Sequence, residues 1–138
     1  MIWLSQLCLF VCWVAMAAWQ AHLIKRGRPI LHGVWALLSA FLIAGGIWWA
    51  FPALAKGPLW PMLALYGVAQ GCMRLAAFNI CLNWFRGLSW TYMSPTSTSL
   101  IDKVELRVFG GREWAIEGLC LIAYAVANFF IYYIPHNR

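Results

Sequence analysis

The residues best suited to chemistry lie on an otherwise apolar stretch, residues 59–84, and just beyond it. Arg74 is the least favourable of them in a membrane, because placing a guanidinium at mid-bilayer costs at least about 2.5–3.5 kcal/mol of free energy. Such a residue is expected either to hydrogen-bond within the bundle, to backbone carbonyls or to Gln70, or to bind an anion, a lipid phosphate or a partner carboxylate. The candidate counter-charges in the chain are Asp102, Glu105 and Glu113.

A stripe of polar residues follows Arg74 along the same stretch. Asn79, Asn83 and Arg86 recur at i, i+4 and i+7, which places them on one helical face. Hydrogen bonding between helices would account for them, at about 0.6 kcal/mol each in membranes. Together with Arg74 and Asp102 they form the expected anion, lipid or partner-contact site. The opposite half of the bundle is expected to hold almost no polar groups beyond Tyr and Trp.

Two histidines flank a basic turn at the same end of the molecule. His22 and His32 could in principle hold a haem or a transition metal. Two imidazoles without a third ligand make a poor metal signature, and interfacial histidines are common, so no cofactor is predicted. The sequence also lacks a nucleophile–base pair, a Walker loop, an HExxH and a CxxC, so no catalytic residue is predicted.

The elements that must position these residues are membrane-spanning helices. The chain has 138 residues, of which 64% are hydrophobic and only 10% charged, against about 25% charged in soluble domains. Each of four apolar runs approaches the roughly 20 residues that cross a bilayer. We therefore predict a single all-α membrane domain. Its spans are residues 2–24, 30–51, 59–84 and 114–134.

Two further features bear on packing. Gly67 and Gly71 form a GxxxG pair, which favours packing of the third span within the monomer or, alternatively, a homodimer face. In the connector, residues 85–113, Ser99 and Asp102 are spaced as a helix cap. An apolar face after this cap predicts a short amphipathic helix lying in the membrane interface. The five cysteines fall inside the spans and are interpreted as small apolar residues rather than a disulfide framework.

Orientation follows from the distribution of Lys and Arg. The first and third connectors, which must share a membrane side, carry seven basic residues, and the opposite side carries two. The positive-inside rule then predicts that these connectors are cytoplasmic, with both termini outside a bacterial inner membrane. The seven are Lys25, Arg26, Arg28, Arg86, Lys103, Arg107 and Arg112; the two are Lys56 and Arg138.

The run from Arg74 to Asp102 resembles a pattern in uncharacterised small bacterial and phage-associated polytopic membrane proteins. It reads Arg74-x3-Phe78-Asn79-x3-Asn83-x2-Arg86-Gly87-Leu88-x-Trp90-x-Tyr92-x4-Ser97-x4-Asp102. Asp often stands in that pattern where this chain has Asn79, so an ion pair of that Asp with the arginine would be lost here. The resemblance covers about thirty residues and implies no activity. It implies that the run is one structural unit.

Three functions remain open from sequence. The first is a non-catalytic accessory or assembly subunit of a larger membrane complex, in contact with lipids and other membrane subunits. The second is a self-assembling channel, small transporter or holin-like pore, which would be a homo-oligomer; no span has a polar stripe across its full width, as a water-filled pore would need. The third is a membrane enzyme or haem carrier that uses the polar cluster on the cytoplasmic side. No nucleic-acid partner is expected.

Overall fold

The four expected spans are α-helices that are long and apolar enough to cross a membrane. The computed structural model describes residues 1–90, 92, 103, 107, 108 and 113–136, and the regular structure within them is α-helical. The prediction of an all-helical membrane protein with four spans is confirmed. The helices are α1, Ile2–Lys25; α2, His32–Leu54; α3, Leu59–Arg86; and α4, Glu113–His136.

The ends of α2 differ from the expected span of 30–51. The helix begins two residues late, because Pro29 and Ile30 follow the turn that closes α1 and Leu31 is the N-cap. It continues past Pro52 to Leu54. A proline inside a helix removes one backbone hydrogen bond, but less than one helical turn follows Pro52 here. That short segment places Leu54 fully buried in the core.

The helices alternate in direction, and α3 is the central one. The α3–α4 and α1–α3 pairs make the most extensive contacts, whereas α2 lies more lightly against α1 and α3. One core cluster joins the start of α1, the end of α2, the start of α3 and the end of α4. That cluster therefore marks one end of the bundle. The basic turn and the connector that follows α3 lie at the other end.

The apolar core is divided along the bundle into two parts. The cluster at the terminal end contains Ile2, Ala50, Leu54, Met62, Tyr66, Ala69, Ala127 and Ile131. The cluster nearer the connectors contains Leu9, Trp13, Met16, Ala17 and Phe78. Gly46 is where α2 comes closest to its neighbours, since a Cβ there would lie 2.5 Å from Leu9 Cδ1 and 3.2 Å from the Tyr66 hydroxyl. The close approach of α2 to α1 and α3 thus occurs at Gly46.

The amphipathic helix predicted after Ser99 falls mostly outside the described residues, as do Ser99 and Asp102 themselves. Within that stretch Lys103, Arg107 and Val108 are helical and exposed.

Candidate functional site

Arg74 is held against α2 by a serine. Its Nε donates to Ser39 Oγ at 3.3 Å, and the Ser39 hydroxyl donates to the Trp35 carbonyl at 2.8 Å. The guanidinium carbon lies 4.4 Å from the centroid of the Phe78 ring, a cation–π contact that strengthens away from water. The half-buried guanidinium thus has a hydrogen-bond partner in α2, a serine hydroxyl that the sequence analysis did not name.

The expected hydrogen bond between Arg74 and Gln70 is not formed. Gln70 is 0% exposed, and neither its Nε2 nor its Oε1 has a hydrogen-bond partner. Leaving a buried amide unpaired costs about 1–3 kcal/mol. The Trp13 indole Nε1, also fully buried, lacks a partner as well. The interior of the bundle therefore contains polar atoms that its own described side chains do not satisfy.

An acidic residue missed by the sequence analysis lies inside α4. Glu117 is only 5% exposed, although none of the spans was expected to contribute an acid to Arg74. Glu117 follows Glu113 by four residues and so lies on the same helical face. This spacing was the sequence signal that could have identified it. The proposed counter-charges Asp102 and Glu105 lie outside the described residues, which leaves Glu117 as the buried acid of the described helices.

Asn83 organises the loop that follows α3. Its Nδ2 donates to the carbonyls of Trp90 at 3.3 Å and Tyr92 at 2.7 Å. Gly87 closes the helix in the left-handed conformation, with φ of 75°, and Leu88 N–H donates to the Asn83 carbonyl at 2.9 Å. These bonds tie Leu88, Trp90 and Tyr92 to Asn83 at the end of α3.

Arg86 joins the same loop. Its guanidinium carbon lies 5.7 Å from the centroid of the Tyr92 ring, and Tyr92 N–H donates to the Ser89 carbonyl at 2.9 Å. Asn79 is half-buried one turn before Asn83. The structure thus brings Asn83 and Arg86 together at the loop, while Arg74 faces α2. Asp102 lies outside the described residues, so the expected convergence of these residues on the connector end, with Arg74 deeper, stays a prediction.

The terminal end of the bundle is more polar than expected. Gln6 Nε2 donates to Asn128 Oδ1 at 2.6 Å, Tyr124 OH donates to Gln6 Oε1 at 3.1 Å, and Asn128 Nδ2 donates to the Tyr124 carbonyl at 2.9 Å. The expectation that this half holds almost no polar groups beyond Tyr and Trp is therefore wrong. Its polar residues lie in separate spans, and only their packing reveals them as a network.

A second contact at this end links α1 to α3. The Ser5 hydroxyl donates to the Ile2 carbonyl at 2.9 Å, so it accepts from the Tyr66 hydroxyl, 2.6 Å away. Both side chains are fully buried. Together with the Gln6 network, this contact fixes the register of α1 against α3 and α4.

Within the described residues, no neighbouring helix comes close to the GxxxG pair. A Cβ at Gly67 or at Gly71 would meet no atom of the described chain within 4 Å. Whether this motif packs against another helix of the same chain or against a second copy therefore stays a prediction. At 100° per residue, Gly67, Gly71, Arg74 and Phe78 lie on one face of α3. Because Arg74 contacts α2 and Phe78 is buried in the core, we call only the part of this stripe at Gly67 and Gly71 the glycine face.

The two histidines are exposed at the connector end. The His22 ring lies beside Trp19, with centroids 6.0 Å apart, and borders a depression at the basic turn that His32 does not line. Among the described residues no three His, Cys, Asp or Glu side chains come together as metal ligands. The haem hypothesis rests on the two histidines alone.

No protein-family model, curated protein or solved structure matches this chain. The likeness of the Arg74–Asp102 run to small bacterial and phage-associated membrane proteins stays an expectation from sequence.

Proposed function

We propose that this protein is a non-catalytic accessory or assembly subunit of a larger membrane complex, in a bacterial inner membrane with both termini outside. The glycine face of α3 is the observation that carries this proposal. It lies on the central helix of the bundle, and the described chain leaves Gly67 and Gly71 uncovered. A transmembrane helix of another subunit would cover it.

Within the described residues, nothing requires glycine at either position of the glycine face. Neither has the positive φ that would require glycine, and a methyl group would fit at both positions. Glycine costs about 0.8–1.0 kcal/mol relative to alanine within a helix. A close approach by another helix backbone would offset that cost, because small residues let helices pack tightly in lipid.

The charge distribution supports the proposed orientation. The basic turn at residues 25–28 and Arg86, the last residue of α3, lie at the same end of the bundle. By the positive-inside rule that end is cytoplasmic. The Asn83 loop and the exposed histidines would then face the cytoplasm.

The test combines photo-cross-linking with a matched pair of substitutions. A photo-reactive residue at Ala64, exposed one turn before Gly67, is expected to capture a different membrane protein. The same residue at Phe41 on α2 is expected to capture lipid. Gly67→Leu with Gly71→Leu should abolish co-purification of that protein. Gly45→Leu should not, although Gly45 is equally open. Capture of lipid alone at Ala64, with unchanged co-purification in the double variant, would overturn the proposal.

A self-assembling pore is the alternative that the same face would allow. Trp13, Met62 and Tyr66 fill the interior of the single bundle, so a pathway would have to run between copies. Under that reading the cross-link at Ala64 joins two copies of this chain, and purified protein conducts ions in liposomes.

A further inference from the structure

The turn between α1 and α2 is rigid and cationic. Arg26 N–H donates to the carbonyls of His22 and Leu23, and Arg28 N–H donates to the Leu23 carbonyl at 3.0 Å. Gly27 supplies the left-handed residue, with φ of 64°, as in a Schellman helix end. Pro29 follows at once. The backbone therefore fixes where both arginines leave the helix end.

A depression of about 430 Å³ lies at this turn, lined by Trp19, His22, Leu23, Arg26, Arg28 and Pro29. Its lining has two chemically different parts. Trp19 and Leu23 supply apolar surface from the last two turns of α1, and the two arginines supply charge beyond the helix end. Among the described residues no carboxylate lines it, so no described side chain of the lining neutralises the arginine charges.

We propose that this depression binds the head group of an anionic phospholipid. Guanidinium groups match phosphate oxygens in bidentate geometry, and basic pockets at the ends of transmembrane helices hold anionic head groups. Trp19 and Leu23 then contact the glycerol and the start of the acyl chains, a region of the bilayer where tryptophan is enriched.

A lipid fits this depression better than the other ligands of similar chemistry. A metal cation is disfavoured because two guanidiniums repel it and His22 is the one metal-ligating side chain among the described lining residues. A soluble anion would use the arginines but not the apolar part. The inference does not depend on the assembly role, since a lone subunit would carry the same depression.

The experiment is native mass spectrometry of the purified protein with equimolar phosphatidylglycerol and phosphatidylcholine. The unmodified chain is expected to retain phosphatidylglycerol preferentially. Arg26→Gln with Arg28→Gln should lower that retention at least about tenfold, because hydrogen bonds to charged groups are lost. The control pair is Lys25→Gln with Lys56→Gln, which removes the same charge outside the depression; it should change retention little.

Two further measurements complete the test. Arg26→Lys with Arg28→Lys preserves charge and should still lose retention several-fold, since an ammonium lacks the planar fork; this pair serves if the glutamine pair does not fold. Inorganic phosphate should fail to displace the lipid. Equal retention of both lipids, an equal loss in the control pair, full retention by the lysine pair or displacement by inorganic phosphate would each overturn the proposal.

Discussion

Arg74 and Asn83 lie on opposite faces of α3. Nine residues separate them, about two and a half turns at 3.6 residues per turn, and their partners agree with this: Arg74 bonds to Ser39 of α2, whereas Asn83 bonds to the loop at Trp90 and Tyr92. The polar residues of α3 thus serve two separate tasks. One ties the helix to its neighbour, and the other shapes the end of the helix.

The loop should loosen when Asn83 is replaced. Asn83→Ala removes both hydrogen bonds to the Trp90 and Tyr92 carbonyls, so backbone amide exchange of Tyr92, which donates to Ser89, should become faster. The matched control is Asn79→Ala, which removes the same amide one turn earlier and should leave exchange at Tyr92 unchanged. Equal exchange rates of the Tyr92 amide in the two variants would show that the Asn83 hydrogen bonds do not hold the loop.

Gln70→Met is expected to stabilise the protein in isolation. Methionine conserves most of the volume and removes an amide whose two polar atoms lack partners, so the free energy of unfolding should rise by about 1–3 kcal/mol. Unfolding in mixed detergent micelles measures it. A loss of stability would mean that the amide is satisfied in the folded protein, for example by buried water.

The Gln6–Asn128 pair should be coupled energetically. Gln6→Leu or Asn128→Leu alone leaves the other amide buried with a lost partner, at a cost of about 1–3 kcal/mol. The double variant should cost less than the sum of the two. Cys8→Ala, at an exposed position on the same helix, is the control and should have little effect. Strict additivity would contradict the coupling.

Arg74 and Glu117 are expected to interact. Counted from the Ser5–Tyr66 and Gln6–Asn128 contacts, they differ in depth by about four residues, or about 6 Å at 1.5 Å per residue, a gap that their long side chains can close. The free energy of unfolding is measured for Arg74→Gln, Glu117→Gln and the double variant. The coupling energy between the two substitutions should be about 0.5–3 kcal/mol. Arg86→Gln, on the loop side of α3, should show no coupling to Glu117→Gln.

The sequence by itself determined the four spans, because a bilayer requires about twenty apolar residues for each crossing whatever lies beside them. It also located the polar residues that matter on α3: Arg74, Asn83 and Arg86 all make specific contacts. The boundaries of α1 and α3 agree with expectation to within two residues. These properties depend on local composition and periodicity, which a single chain displays directly.

Only the tertiary structure decided which polar groups meet. The pairing of Gln6 with Asn128 joins residues 122 positions apart, and no local pattern specifies it. The partner of Arg74 is Ser39 on α2, not Gln70 on the same helix. The glycine face became visible only when the packing of α1, α2 and α4 left it uncovered. Contacts between helices depend on their relative rotation and depth, and apolar spans encode these weakly because lipid and protein surfaces are chemically alike.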